Sequence, residues 1–200
     1  DLYFNYSINQ DLRDKKFRTE DGYTTTFSQE VPIVSDNAEF ANAFTVTKYK
    51  KLSTTSDMVG KISFFGKTIT GLSDDVRISK RLNIPTSKLR GFERGKVGPV
   101  ENNDYIGGNH VSTLNLSATL PTVIEGLDNL DLGVFFDAAN VWGVDYNSSL
   151  NDKSKIRSST GVALNLMTPI GPLSFSFANA ITKASTDKTE TFRFNLGTQF

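Results

Sequence analysis

Large apolar residues recur at every second position along most of this chain, and the spacing of an amphipathic helix is hard to find in it. Leu2, Phe4, Tyr6 and Ile8 alternate with Tyr3, Asn5, Ser7 and Asn9. Leu114, Leu116, Ala118 and Leu120 alternate with Thr113, Asn115, Ser117 and Thr119, and Leu173, Phe175 and Phe177 with Ser174, Ser176 and Ala178. The period predicts strands over 1–9, 23–31, 40–47, 58–69, 110–120, 130–142, 157–168, 172–182 and 190–200. A charged turn separates the first two, and the stretch from Gly71 to Gly108 shows no clean alternation. In the third strand Asn42 is the one polar residue on the parity of Phe40, Phe44 and Val46.

One face of these strands is large and apolar, the other small or polar. A soluble β-sandwich binding module has that pattern with the apolar face inward. A transmembrane β-barrel has it with the apolar face toward lipid. Two features favour the barrel. Several strands run to about ten residues or more, longer than the five or six usual in soluble sheets and long enough to cross a bilayer at a tilt. Connections also alternate short and long: Pro121–Asn129 and Pro169–Gly171 are modest, whereas Gly71–Gly108 is very long. Nine strands is an odd count for a bacterial barrel, and an open edge in lipid leaves backbone groups unpaired. The sheet edges are therefore expected to pair with strands outside this sequence. The start at Asp1, inside the first strand and without a signal-like segment, predicts a boundary that falls within a structural element.

Composition narrows the function classes. The 200 residues carry 22 basic and 22 acidic side chains, which argues against nucleic acid as a partner because phosphate binding needs a cationic surplus. There is no cysteine, and His110 is the one histidine, so neither a disulfide framework nor a metal site is expected. No run of apolar residues approaches a membrane-spanning helix. No serine has the nucleophile-elbow pattern, and the glycines of 91–98 do not form a phosphate loop. Neither enzymatic activity nor a cofactor is expected.

Three segments are specific when read together. The long loop contains Leu89-Arg90-Gly91-Phe92-Glu93-Arg94-Gly95, then Gly98-Pro99 and Gly107-Gly108-Asn109. Downstream lies Phe135-Phe136-Asp137-Ala138-Ala139-Asn140-Val141-Trp142. The chain ends with Pro169-Ile170-Gly171-Pro172-Leu173 and then Phe192 to Phe200. In this order they resemble the C-terminal part of the BamA family of outer-membrane assembly factors, within the bacterial surface antigen superfamily. The turn from Asp11 through Gly22 and Tyr23 resembles the family's turn between two earlier strands.

The resemblance implies an all-β, antiparallel transmembrane β-barrel, with residues 1–200 forming about the last nine of sixteen strands. The family's POTRA domains and earlier strands would be absent. Residues 71–108 would be a long extracellular loop folding into the lumen, anchored by its motif Leu89, Arg90, Gly91 and Phe92 against Phe135 and Asp137. Parity agrees for Asp137, which alternates with the apolar Val134 and Phe136 and so points away from lipid. Read alone, Arg90 is a solvated loop charge and Asp137 a lumen-lining carboxylate. This sequence has Leu89 where valine is commoner, Ala139 where glycine is frequent, and no acid on the strand before Asp137, so Arg90 is expected to rely on Asp137 alone. Phe192, Phe194, Leu196 and Phe200 would lie on one lip of the lateral gate, with Phe200 as the terminal aromatic signal.

The implied function is folding and insertion of β-barrel proteins into the bacterial outer membrane by an integral protein of that membrane. Its partners would be unfolded outer-membrane clients, outer-membrane lipids and the lipoproteins of the assembly complex. A translocation or secretion barrel, or a porin-like channel, is the alternative.

Overall fold

The computed structural model describes residues 1–16, 18–121, 129–150, 155–168 and 171–196, without the side chains at 167 and 172. Four strands come first: β1 (Leu2–Asp11), β2 (Gly22–Val34), β3 (Glu39–Lys51) and β4 (Val59–Gly71). The long segment that follows contains a minute hairpin, β5 (Val100–Glu101) and β6 (Asp104–Tyr105). Five more strands complete the chain: β7 (His110–Thr119), β8 (Leu130–Trp142), β9 (Arg157–Thr168), β10 (Gly171–Thr182) and β11 (Phe192–Leu196). Apart from β5 and β6, all pair antiparallel in chain order in one nine-stranded sheet.

Register keeps the two parities apart across the whole sheet. One row joins Gly60, Ala118, Val134, Val162, Phe177 and Phe192. Ile8 faces Phe27, which faces Phe44, and Phe64 faces Leu114. Phe4, Ile8, Phe44, Ile62, Phe64, Leu116, Val134, Val162, Phe177, Phe192, Phe194 and Leu196 are all exposed on this outward face. An apolar exposed surface this wide is what a lipid-facing wall presents and what a soluble monomer avoids. Asn42, the polar interruption, faces Gln29 across β2 and β3. The Gln29 amide donates to Asn42 Oδ1 at 2.6 Å, and Tyr6 Oη donates to Gln29 Oε1 at 2.6 Å. Neighbouring polar groups thus satisfy one another where lipid would not.

The long segment packs on the opposite, inner face. Val76 and Leu82 bury against Ala41, Ile69, Val111 and Val141, and Leu89, Phe92 and Val97 against Ala139. These apolar side chains explain why a stretch without strand alternation still folds onto the wall. The last strand starts at Phe192 rather than 190, because Thr189 and Glu190 pair with the long segment instead of with β10. Phe200 and the turn at Pro169 lie outside the described residues.

Candidate functional site: a loop segment docked across the inner wall

The site is built on one row of the register. Thr47, Ser63, Asn115, Asp137, Ser159 and Ala180 stand side by side on β3, β4, β7, β8, β9 and β10. All but Asn115 and Asp137 are small, and that leaves space for a chain to cross the strands. The Thr47 and Ser63 hydroxyls bond each other at 2.9 Å, outside the crossing. Residues 88–91 occupy the rest of the row. Lys88 Nζ donates to Ser63 Oγ at 3.3 Å, and Asn115 Nδ2 donates to the Lys88 carbonyl at 2.7 Å. Ser159 Oγ donates to the Arg90 carbonyl at 2.6 Å.

Asp137 is the centre of the arrangement. Its side chain is 0% exposed, and four donors saturate its two oxygens. Arg90 supplies three of them: Nε at 2.8 Å, Nη2 at 2.8 Å and its own backbone N–H at 3.1 Å. Asn115 Nδ2 supplies the fourth at 2.8 Å. The planar guanidinium meets both carboxylate oxygens, a geometry that an ammonium cannot reproduce. The Arg90 guanidinium also lies over the Phe135 ring, 3.4 Å from its centroid. Phe135 faces Gly161 on β9, where an added Cβ would stand 2.9 Å from the ring and 2.0 Å from the Phe177 carbonyl oxygen. Gly91 has φ +85, and a Cβ there would come within 3.1 Å of Ala178 and 3.2 Å of Ser159. Phe92 is almost fully buried beside Leu89. Burial pushes the Lys88 ammonium's pKa down, while the Asp137 carboxylate acts the other way.

Leu89, Arg90, Gly91, Phe92, Phe135 and Asp137 therefore meet at one place. Phe192, Phe194 and Leu196 lie apart from it on the outward face, where Phe194 and Phe192 pack at a tilt against Phe175 and Phe177 with ring centroids 5.1 and 5.0 Å apart. The Arg90 guanidinium and N–H bond Asp137, and Asn115 on the preceding strand orients that carboxylate. Its position on the polar parity was the available signal.

Two further clusters escaped the sequence reading. The side chains of Arg157 and Asp187 are both 0% exposed and joined bidentately, Nε to Oδ2 at 2.8 Å and Nη2 to Oδ1 at 3.0 Å. Asp187 also accepts the N–H of Ala184 at 2.6 Å and of Gly98 at 3.3 Å, which ties the β10–β11 connection to the long segment. Arg157 reaches Asn140 at 2.9 Å. Near the other root of the long segment, Asp145 accepts from Arg81 at 2.5 Å, Asn109 at 2.8 Å and the Val76 N–H at 2.8 Å. Tyr105 and Tyr146 bond within the loops, to the Thr186 carbonyl and to Glu101.

Asp145 gives the loop roots a pH dependence. Burial would raise its pKa, but the Val76 N–H, Asn109 and Arg81 outweigh that and hold it at about 2, against 3.8 for an ordinary aspartate. A carboxylate whose folded pKa is depressed contributes stability above its unfolded value and loses it as pH falls through the folded one. The contribution, roughly 2 kcal/mol, is expected to disappear between about pH 4 and pH 2. Thermal midpoints measured across this range should fall more steeply for the parent than for Asp145→Asn; parallel curves would remove Asp145 from the account.

Comparison with known proteins gives the arrangement its context. A family model described as the Omp85 superfamily domain matches residues 1–200. The outer membrane protein assembly factor BamA of Neorickettsia risticii (strain Illinois) is 24% identical over 199 residues, covering 98% of this chain and 27% of that protein. BamA of Neisseria meningitidis serogroup B (strain ATCC BAA-335 / MC58) is 29% identical over 141 residues, 56% of this chain and 17% of that protein. The crystal structure of BamA from Haemophilus ducreyi lacking POTRA domains 1-3 aligns with a TM-score of 0.89 at 25% identity, over 97% of this chain and 41% of that one. The chain thus spans about a quarter of the longer-matching curated relative, and its sheet corresponds to part of a BamA barrel wall. By sequence over its whole length and by fold, this chain belongs to the Omp85 superfamily.

Proposed function

We propose that this chain is the C-terminal part of the barrel of an assembly factor that folds and inserts β-barrel proteins into the bacterial outer membrane. The observation that carries the reading is the segment 88–91, held across the inner wall by Arg90 and Asp137. A loop of this length has a large ordering cost, and so specific an anchor is expected where a fixed interior matters to function. Residues 71–108 enter the lumen from the extracellular side, and the apolar outward face sits in outer-membrane lipid. Clients are unfolded outer-membrane proteins, whose strands add to an exposed strand edge by backbone pairing. The work needs no catalytic group, nucleotide or metal, and in the full-length protein assembly-complex lipoproteins take part.

A translocation or porin-like channel is the competing reading, and the loop lying against the inner wall speaks against an open pore. The test is reconstitution of the full-length protein in liposomes with a small unfolded β-barrel client. Faster appearance of heat-modifiable client than in empty vesicles is expected. Unaccelerated client folding together with large, steady conductance would sink the assembly reading in favour of the channel.

A further inference from the structure

The segment that crosses the wall continues past β10. Its backbone pairs with the residues that lead into β11. The Glu93 N–H donates to the Lys188 carbonyl at 3.0 Å, and the Lys188 N–H to the Lys96 carbonyl at 3.0 Å. The Glu190 N–H donates to the Gly91 carbonyl at 3.2 Å, and Phe92 forms an antiparallel bridge with Thr189. The chain between residues 91 and 96 therefore acts as a short extra strand against residues 188–190.

β11 then contributes a side chain to the same segment. Arg193 lies between the outward Phe192 and Phe194 and faces Ser176 across β10 on the inner parity, and it is buried. Its guanidinium donates to the carbonyls of Thr86 at 2.5 Å, of Leu89 at 3.5 Å and of Phe92, and to the Glu190 carboxylate. Two of these carbonyls, those of Leu89 and Phe92, belong to the Leu89–Phe92 motif whose Arg90 is held by Asp137. A flat group with five N–H donors suits several carbonyls converging from different directions. Among the described residues β11 has few other supports: five paired positions with β10 and the phenylalanine ladder on its outward side.

We propose that Arg193 is a positioning residue that couples the docked loop to the last strand, so that loosening the loop at Asp137 also loosens β11. The segment 88–93 is held by an acid on β8 and by a base on β11, and acts as a strut between strands three places apart in the sheet. The proposal rests on the functional reading in one respect, that the last strand is a lip of the seam where clients are received.

Amide exchange of peptides covering 188–196, followed in the full-length protein in liposomes, tests the coupling. Arg193→Met, which keeps length and removes the donors, is expected to speed exchange there by about tenfold. Asp137→Asn is expected to speed it by a similar factor, and the double variant by no more than the larger single one, because both break the same link. Arg193→Lys keeps a cation with three donors among the same carbonyls and is expected to recover most of the protection. Unchanged exchange in either single variant, or effects that multiply in the double variant, would overturn the proposal. Should Arg193→Met fail to assemble, Arg193→Lys is compared with the parent. A similar response to Asp137→Asn in both supports the link, and an absent response in the lysine variant overturns it. Client folding measured on the same samples separates the two readings. A coupled β11 in a protein that does not speed client folding keeps the link and removes the assembly function.

Discussion

Asp187→Ala is expected to be among the most damaging single substitutions in the described part of this chain, at a cost of about 3–5 kcal/mol. Arg157 is fully buried, and removing the Asp187 carboxylate takes away the charge-assisted bonds at Nε and Nη2, while those to Asn140 and the Lys155 carbonyl stay. The N–H groups of Ala184 and Gly98 lose their acceptor in the same step. Three segments are thereby released together: the start of β9, the β10–β11 connection and the far side of the long loop. The temperature at which heat-modifiable migration is lost should fall clearly relative to the parent. Combining Asp187→Ala with Arg157→Met should recover part of the loss, since removing a buried pair whole costs less than removing one of its partners. A double variant worse than either single would show that packing around Arg157, rather than its charge, carries the effect.

Asp137→Ala is expected to have a different signature, at about 2–3 kcal/mol, because Arg90 is 21% exposed and water relieves part of its loss. Arg90 loses three bonds and Asn115 one, while the backbone ladder of β7, β8 and β9 is untouched. Trypsin should then cut after Arg90, Arg94 or Lys96 under conditions where the parent resists, with a much smaller change in barrel melting. The charge swap Arg90→Asp with Asp137→Arg should regain part of the protection. If both singles and the swap resist trypsin like the parent, the pair is not what holds the loop.

Much of this was readable from the sequence because strand parity is a local property. Leu114, Leu116 and Ala118 announce their face without knowledge of their neighbours, and so do Phe192, Phe194 and Leu196. The nine sheet strands follow from that signal to within a few residues at the ends that lie among the described residues. Register is less local, since it depends on how each turn closes. The row Ser63, Asn115, Asp137 and Ser159 could not be seen in the sequence, although each residue sat on the polar parity. Arg90 and Asp137 were paired through a family resemblance; composition alone left both as solvated charges. Arg193 and Asp187 were harder still. Each looks like one charge among 44, and what distinguishes them is burial by a loop whose path no periodicity describes. Asn42 was visible as an exception, but its partner Gln29 became identifiable only through pairing of β2 with β3.

The crossing segment also bears on the order in which this chain matures. The wall grows from neighbours in the sequence, one hairpin after another, apart from the step across the long segment between β4 and β7. The contacts of the crossing segment span 47 residues from Arg90 to Asp137, 69 to Ser159, 89 from Gly98 to Asp187 and 107 from Thr86 to Arg193. These cannot form until β8 to β11 are in place, so they fall late on the folding route. Interactions absent from the rate-limiting barrier leave the forward rate nearly unchanged and retard the reverse one. The loop is thus a latch that closes on a finished wall, and its contribution is the lifetime of the assembled barrel rather than the speed of its formation.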